Sequence, residues 1–352
     1  MKQDLSLQEL AQKVAYVGEF KRDLIVPAEH LSFDIDRQGV RVNSGQLITR
    51  GNVTEHAFTQ VTTDLGIPAT YRRKLQESNN FDLLETNVNT LVGQQDKNRM
   101  LRTVDGNLRG YLSDSFSTEY DNDVILKAVL PVLSDMGDDI QIKSCSLTDT
   151  KMYLKVTSNK LKGDIKVGDP VLGGISIVNS EVGMSFYAEN EFIERLVCLN
   201  GMTRPNNISN FRKMHRGSRQ GIGYIRRDTM QATQQAIALQ IRDSITNALS
   251  PARFQATVEA MRETTERKIE GNPIEAVKEL GKAVGFTQSE GDSIMKHLIE
   301  GGDLSQYGLL NAVTRYSQDE DVNYDRASQL EVIGGKVLEL NPRQWRNISE
   351  AA

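Results

Sequence analysis

The sequence predicts an α+β fold, with a mainly antiparallel sheet and a packed helix in the middle of the chain, followed by a C-terminal helical region. Three observations predict it. Short alternating segments punctuated by Gly, Asp or Asn crowd residues 98–189. A helical apolar stripe and repeated helix-start signals follow from Asp228 onward. The order hairpin, helix, strands also lacks the regular strand–helix alternation of a doubly wound parallel sheet.

Ser6-Leu7-Gln8-Glu9 is a capping-box pattern, so a helix to about Gly18 is expected. Leu31-Ser32-Phe33-Asp34-Ile35 and Val40-Arg41-Val42 alternate around Gln38-Gly39 and read as a hairpin. Helices are expected over Thr54–Asp64 and Pro68–Gln76, with Pro68 in a first turn where its missing N–H is tolerated. Met100–Val104 and Leu108–Leu112 flank Asp105-Gly106, a favoured tight turn. A helix over Asn122–Asp135 comes next, then short strands at Ile140–Ile142, Met152–Val156, Gly174–Val178 and Met184–Tyr187. Beyond Asp228, Met230, Ile237, Ile241, Ile245 and Ala248 fall on one helical stripe. Ser250-Pro251, Asn272-Pro273 and Thr287-Gln288-Ser289-Glu290 each start a further helix. Three regions are therefore expected: 1–97 of mixed α/β character, a 98–227 sheet core with a basic loop, and a 228–352 helical region.

Composition excludes several function classes. Cys145 and Cys198 have neither disulfide-framework nor zinc spacing, which suits a reducing compartment. Met1-Lys2-Gln3-Asp4-Leu5 lacks the apolar core of a secretory signal, so a cytoplasmic location is expected. Val124–Leu133, broken by Lys127 and Pro131, falls short of the roughly 20 apolar residues that span a bilayer, and no membrane partner is expected.

Catalytic and cofactor signatures are incomplete. Gly281-Lys282-Ala283 and Gly335-Lys336-Val337 do not complete a P-loop, and Arg226 takes the third glycine position after Gly221-Ile222-Gly223. Asp34-Ile35-Asp36 lacks the remaining calcium ligands. His30, His56, His215 and His297 have no paired spacing, so no metal, cofactor or catalytic residue is expected. Asp121-Asn122-Asp123 reads as a helix cap rather than a magnesium site. Cys198 reads as a buried cysteine of an apolar run rather than a thiol activated by His215. An enzyme acting through Asn179, Glu181, Cys198 and His215 would need all four in one pocket.

Charge is segregated. The formal charge is −5, yet Arg195, Arg204, Arg212, Lys213, Arg216, Arg219, Arg226 and Arg227 contribute eight positive charges with no Asp or Glu among them, leaving −13 on the rest. Arginines suit phosphate oxygens, and Phe211 and Tyr224 suit base stacking. The expected nucleic-acid contact comprises Arg204, Phe211, Arg212, Lys213, His215, Arg216, Arg219, Tyr224, Arg226 and Arg227. The competing reading is a solvated loop whose arginines pair with the acidic remainder or with a neighbouring subunit. Tyr71-Arg72-Arg73-Lys74 reads as an exposed helix face, and the acidic helix pair Pro273–Ala283 and Thr287–Ile299 as packing rather than DNA reading.

Leu108-Arg109-Gly110-Tyr111-Leu112-Ser113-Asp114, Leu147-Thr148-Asp149, Gly168-Asp169, Asn179-Ser180-Glu181-Val182-Gly183, Arg195–Met202, His215, Leu309–Arg315 and Leu330–Gly335 together resemble an uncharacterised phage- and plasmid-borne family, the domain of unknown function numbered 932. The resemblance covers roughly Arg99 to Leu338 and implies a mobile-element protein, without implying an activity. Two functions are expected to compete. One is a phage protein of DNA metabolism that binds single-stranded DNA, a homo-oligomer similar in architecture to the annealing protein Red beta. The other is a host-directed interaction protein, such as an inhibitor of a bacterial defence system, docking its basic loop on an acidic host protein.

Overall fold

The computed structural model describes residues 2, 4–43, 51–198, 200–204 and 227–351. The α+β prediction holds, with all strand pairs in the three sheets antiparallel.

The capping box forms as the sequence requires: Ser6 Oγ accepts from the Glu9 N–H at 3.2 Å, and Glu9 Oε2 accepts from the Ser6 N–H at 2.8 Å. Helix α1 (Leu7–Phe20) buries Leu10 and Val14. It leads straight into β1 (Lys21–Pro27), a strand missing from the sequence reading. β1 pairs with β5 (Asn98–Val104), and β5 with β6 (Asn107–Ser113), through the expected turn in which Asp105 and Gly106 take φ of 50° and 77°. The expected boundary at residue 98 therefore falls inside a three-stranded sheet.

Between β1 and β5 the chain forms a second small sheet of β2 (Ser32–Asp36), β3 (Gly39–Asn43) and β4 (Gly51–Asn52). Phe33, Ile35 and Val42 point inward, as the alternation predicts. The hairpin turn is Arg37-Gln38, and Gly39 opens β3. Helices α2 (Glu55–Asp64), α3 (Ala69–Glu77) and α4 (Phe81–Val92) cover these strands, with Phe58, Val61, Leu84 and Val88 fully buried. Pro68 is the N-cap of α3 rather than a first-turn residue. Its ψ of 137° is extended, so the helix begins one residue later than expected.

The main sheet is a five-stranded meander, β11-β10-β9-β8-β7, built from β7 (Ile140–Leu147), β8 (Met152–Asp164), β9 (Pro170–Asn179), β10 (Ala188–Arg195) and β11 (Asn200–Arg204). The β8 strand runs far beyond the short segment expected, because a register shift between Thr157 and Lys162 lets it continue past its irregularity. The strand expected at Met184–Tyr187 instead lies in the connection before β10.

Both faces of this sheet are covered. On one, α5 (Asn122–Asp135), α1 and α6 (Arg227–Ala248) bury Ile125, Val129, Ile237, Ile241 and Ile245 against Leu154, Val156, Ile175 and Ile177. On that same face α7 (Pro251–Glu266) packs beside Val171 and Ile193, which alternate in step with Ile175, while α11 (Tyr324–Leu338) covers Lys155 and Thr203 on the other. Helices α8 (Pro273–Val284), α9 (Gln288–Gly301), α10 (Gln306–Tyr316) and α12 (Pro342–Ser349) share the core of α7 and α11. The α8–α9 pair packs, with Val277, Leu280, Ile294 and Leu298 in the shared core. The C-terminal region is thus helical as expected, and its helices pack as layers on the sheet.

Two glycines set how close that layer lies. A Cβ on Gly335 would meet Thr203 O at 2.4 Å, and one on Gly334 would meet Thr314 Cγ2 at 2.4 Å. The pair lets α11 lie directly on β11 and α10. Beside it a buried ion pair crosses the same interface: Lys155 Nζ of β8 lies 2.5 Å from Glu331 Oε2 of α11, with both side chains at most 3% exposed.

Candidate functional site

The basic segment leaves the sheet at Arg204, the last residue of β11, and the described chain resumes at α6. Its first two arginines are engaged by the body. Arg195 Nε and Nη2 bond Asp169 at 2.6 and 3.0 Å, and Tyr307 donates to the same carboxylate at 2.8 Å. Arg204 Nε donates to Glu339 at 2.7 Å and its Nη1 to Thr257 at 3.2 Å. Of the expected nucleic-acid contacts, Phe211, Arg212, Lys213, His215, Arg216, Arg219, Tyr224 and Arg226 lie outside the described residues, as does the side chain of Arg227. Gly221-Ile222-Gly223 lies outside them too.

Asn179, Glu181 and Cys198 do not converge. Asn179 ends β9, whereas the Leu196-Val197-Cys198 turn sits at the strand's beginning, with the Leu196 N–H bonded to Pro170 O at 3.0 Å. Nine strand steps separate Pro170 from Asn179, about 30 Å. A single pocket holding all four residues of the enzyme reading is therefore ruled out by geometry.

At the Glu181 end, five charged side chains form a hub, four of them below the surface and Asp23 at its exposed rim. Lys21 Nζ lies 2.6 Å from Asp121 Oδ2 and 3.1 Å from Glu181 Oε1. Arg102, 1% exposed, donates from Nη1 to Asp121 Oδ1 at 2.8 Å and to Glu181 O at 2.8 Å, and forks onto Asp23 at 2.8 and 2.7 Å. Asp121 occupies the N-cap position of α5, but its carboxylate makes no cap bond there. The expected capping role passes to Glu181, whose Oε1 accepts the Asn122 N–H at 2.7 Å, because Lys21 and Arg102 already hold Asp121. Asn179 completes the arrangement by donating to Tyr120 O at 2.7 Å and Asn122 Oδ1 at 2.9 Å.

Burial raises the Asp121 carboxyl to about 6, although Arg102 and Lys21 oppose the shift. For Lys21 burial opposes the charge, yet Glu181 and Asp121 outweigh it and hold the ammonium above its ordinary value. Beside the hub, Arg109 Nη2 donates to Asp149 O at 2.7 Å, and the space among Arg102, Arg109, Asn122, Thr148 and Glu181 is about 10 Å³. That is room for about one water, so the hub is a structural weld of β1, β5, α5 and the β9–β10 connection. Segments around Arg109, Thr148 and Glu181, scattered in the sequence, meet here.

A second buried carboxyl lies under α6. Tyr187 donates to Glu189 Oε1, while Glu189 Oε2 has no partner among the described residues. Burial pushes the Glu189 carboxyl up to about 7, against the hydrogen bond from Tyr187.

The Cys198 end opens on a larger cleft of about 390 Å³, walled by the β10–β11 turn, the end of α9 and the length of α10. Cys198 is half-buried in the turn rather than buried in a core, because Val197 beside it points to solvent at 54% exposure. Its Sγ accepts from Arg195 Nη1 at 3.3 Å, and its carbonyl from Arg315 Nη1 at 2.9 Å. His297, at the far wall, lies 3.0 Å from both oxygens of Asp319. The sequence reading missed Arg315, whose contact with Cys198 has no spacing signature, and His215, weighed there beside Cys198, lies outside the described residues.

The remaining candidates are accounted for locally. Asp34 and Asp36 both bond Arg41, and Asp36 accepts from the Gln38 and Gly39 N–H groups, which makes a turn. His56 bonds Val182 O at 2.9 Å. Arg72 is 11% exposed and pairs with Glu55 at 2.7 Å, while Arg73 and Lys74 face solvent. Among the described residues no cluster of His, Cys, Asp and Glu is grouped to hold a metal ion, and no helix is long and apolar enough to cross a membrane. Comparison of the chain with protein-family models, with curated proteins and with solved structures gives no match.

Proposed function

We propose that this chain binds single-stranded DNA through the basic segment between β11 and α6, acting in the cytoplasm as a homo-oligomer in strand annealing or recombination. The observation that carries the reading is a charge balance made local by the structure. Arg195 and Arg204 are neutralised by Asp169 and Glu339 of the body. Arg212, Lys213, Arg216, Arg219 and Arg226 follow in a stretch with no acidic residue of its own, on a chain whose remainder is strongly acidic. Arginine-rich stretches of that kind suit phosphate oxygens, and Phe211 and Tyr224 supply stacking faces that every base accepts, which favours single strands over duplex.

The test is fluorescence anisotropy of the full chain with labelled oligothymidylate and with duplex DNA over a salt series, with mass photometry on the same samples. Single-strand binding should weaken steeply with salt and accompany assembly. Joint reversal of Arg212, Lys213, Arg216 and Arg219 to Glu should abolish it, and should flatten the salt dependence by about 0.7 in log–log slope per lost phosphate contact. Unchanged affinity in that variant would remove the segment as the site.

A further inference from the structure

The cleft at the β10–β11 turn has the make-up of a binding site that the DNA reading leaves unused. Of its cationic lining residues, Lys166 is paired with Asp303 at 3.0 Å and Arg195 with Asp169. Arg315 is different. It is exposed at the end of α10, its one hydrogen bond goes to the Cys198 carbonyl, and it has no carboxylate within 4 Å among the described residues. Its remaining N–H groups are available to an oxyanion, for which a guanidinium offers a planar fork.

An independent observation comes from Asn200, which lines the same cleft and is 1% exposed. Its Nδ2 donates to Thr314 Oγ1 at 2.6 Å, which fixes the amide orientation, yet its Oδ1 has no partner among the described residues. A buried amide oxygen left unpaired costs about 1–3 kcal/mol and calls for a donor from outside the wall. The volume of about 390 Å³ is within the range of small-molecule sites, and Val197 gives the mouth an apolar edge.

We propose that this cleft binds a small polar molecule carrying one oxyanion, a phosphate monoester or a carboxylate, together with a hydroxyl or amino donor. The oxyanion sits on Arg315 and the donor reaches Asn200 Oδ1. The site is independent of the basic segment and holds whether or not the chain binds DNA.

Isothermal titration of the full chain with ribose 5-phosphate, L-glutamate and inorganic phosphate tests it, the first two separating a phosphate from a carboxylate source. One of the two organic probes should bind with one-to-one stoichiometry, and ribose 5-phosphate, if it is the binder, should bind more tightly than inorganic phosphate, which brings no carbon-bound hydroxyl. Arg315→Met should weaken binding at least about tenfold, with Arg315→Lys recovering part of it. Val197→Trp, a change at an exposed position, should block the mouth while leaving the unfolding transition in place. Absence of binding by both organic probes up to about 10 mM, or binding that survives both Arg315→Met and Val197→Trp, would overturn the proposal.

Discussion

Replacing Lys155 with Met strips Glu331 of its ammonium partner while leaving the carboxylate where it is. Glu331 is 1% exposed and its other bond is a long one, 3.5 Å from Thr203 Oγ1. Lys155 also lies 3.3 Å from Ser328 Oγ and 5.1 Å from the Tyr324 ring centroid, so its loss touches three side chains of α11, Tyr324, Ser328 and Glu331. Because both charged groups are essentially dry, screening by solvent is not a discount. Breaking such a pair on one side typically costs about 3–5 kcal/mol, a large part of a total stability of about 5–15 kcal/mol. Removing both charges is a different matter: Lys155→Met with Glu331→Leu leaves no buried charge and should return to within about 1 kcal/mol of the parent protein. Urea unfolding followed in parallel by far-ultraviolet circular dichroism and by the fluorescence of the single tryptophan provides the measurement. Trp345 is buried in α12 and reports the helical layer, whereas the dichroism reports the whole chain. If that layer and the sheet unfold as one unit, the two curves coincide and shift together. A single variant within about 0.5 kcal/mol of the parent, or a double variant as unstable as the single, would refute the argument that this pair is what makes the interface costly to break.

Glu189→Gln should change how stability depends on pH. The unfolded carboxyl ionises near 4.5 and the folded one near 7, so the stability attached to the protonated form is present below 4.5 and is lost as pH rises towards 7. The variant should be more stable than the parent at pH 8 by on the order of 3 kcal/mol and nearly equal to it at pH 4.5. Denaturation midpoints at the two pH values decide it, and an equal difference at both would show that the carboxyl is not held neutral. Gly335→Ala should destabilise by about 1–3 kcal/mol, since its methyl meets Thr203 O at 2.4 Å and α11 must lift from β11. A calorimetric transition unchanged by that substitution would mean the helix does not lie so close.

Local chemistry made much of the architecture legible. The Ser6–Glu9 and Thr287–Glu290 capping boxes, the Asn272 cap, the Asp105-Gly106 turn and the bounds of α5 follow from residue type and spacing, because a cap or a tight turn is decided within four residues. The misses occur where partners are distant. β1 carries two exposed charges in a row and becomes a strand only by pairing with β5, far along the chain. Asp121 has the residue type of an N-cap, yet Lys21 and Arg102 take its carboxylate and Glu181 caps the helix instead.

The sequence by itself determined the fold class, the helical C-terminal region and the segregation of positive charge between Arg195 and Arg227, since propensity, periodicity and composition are properties of neighbouring residues. Only the tertiary structure decided that Arg195 and Arg204 are neutralised by Asp169 and Glu339, and that Glu181 and Cys198 stand at opposite ends of β9. It also decided that Arg315 and Asn200 share one cleft. Those facts depend on which groups are brought together after water is removed, and side chains 160 positions apart, as Lys21 and Glu181 are, acquire their roles only from that juxtaposition.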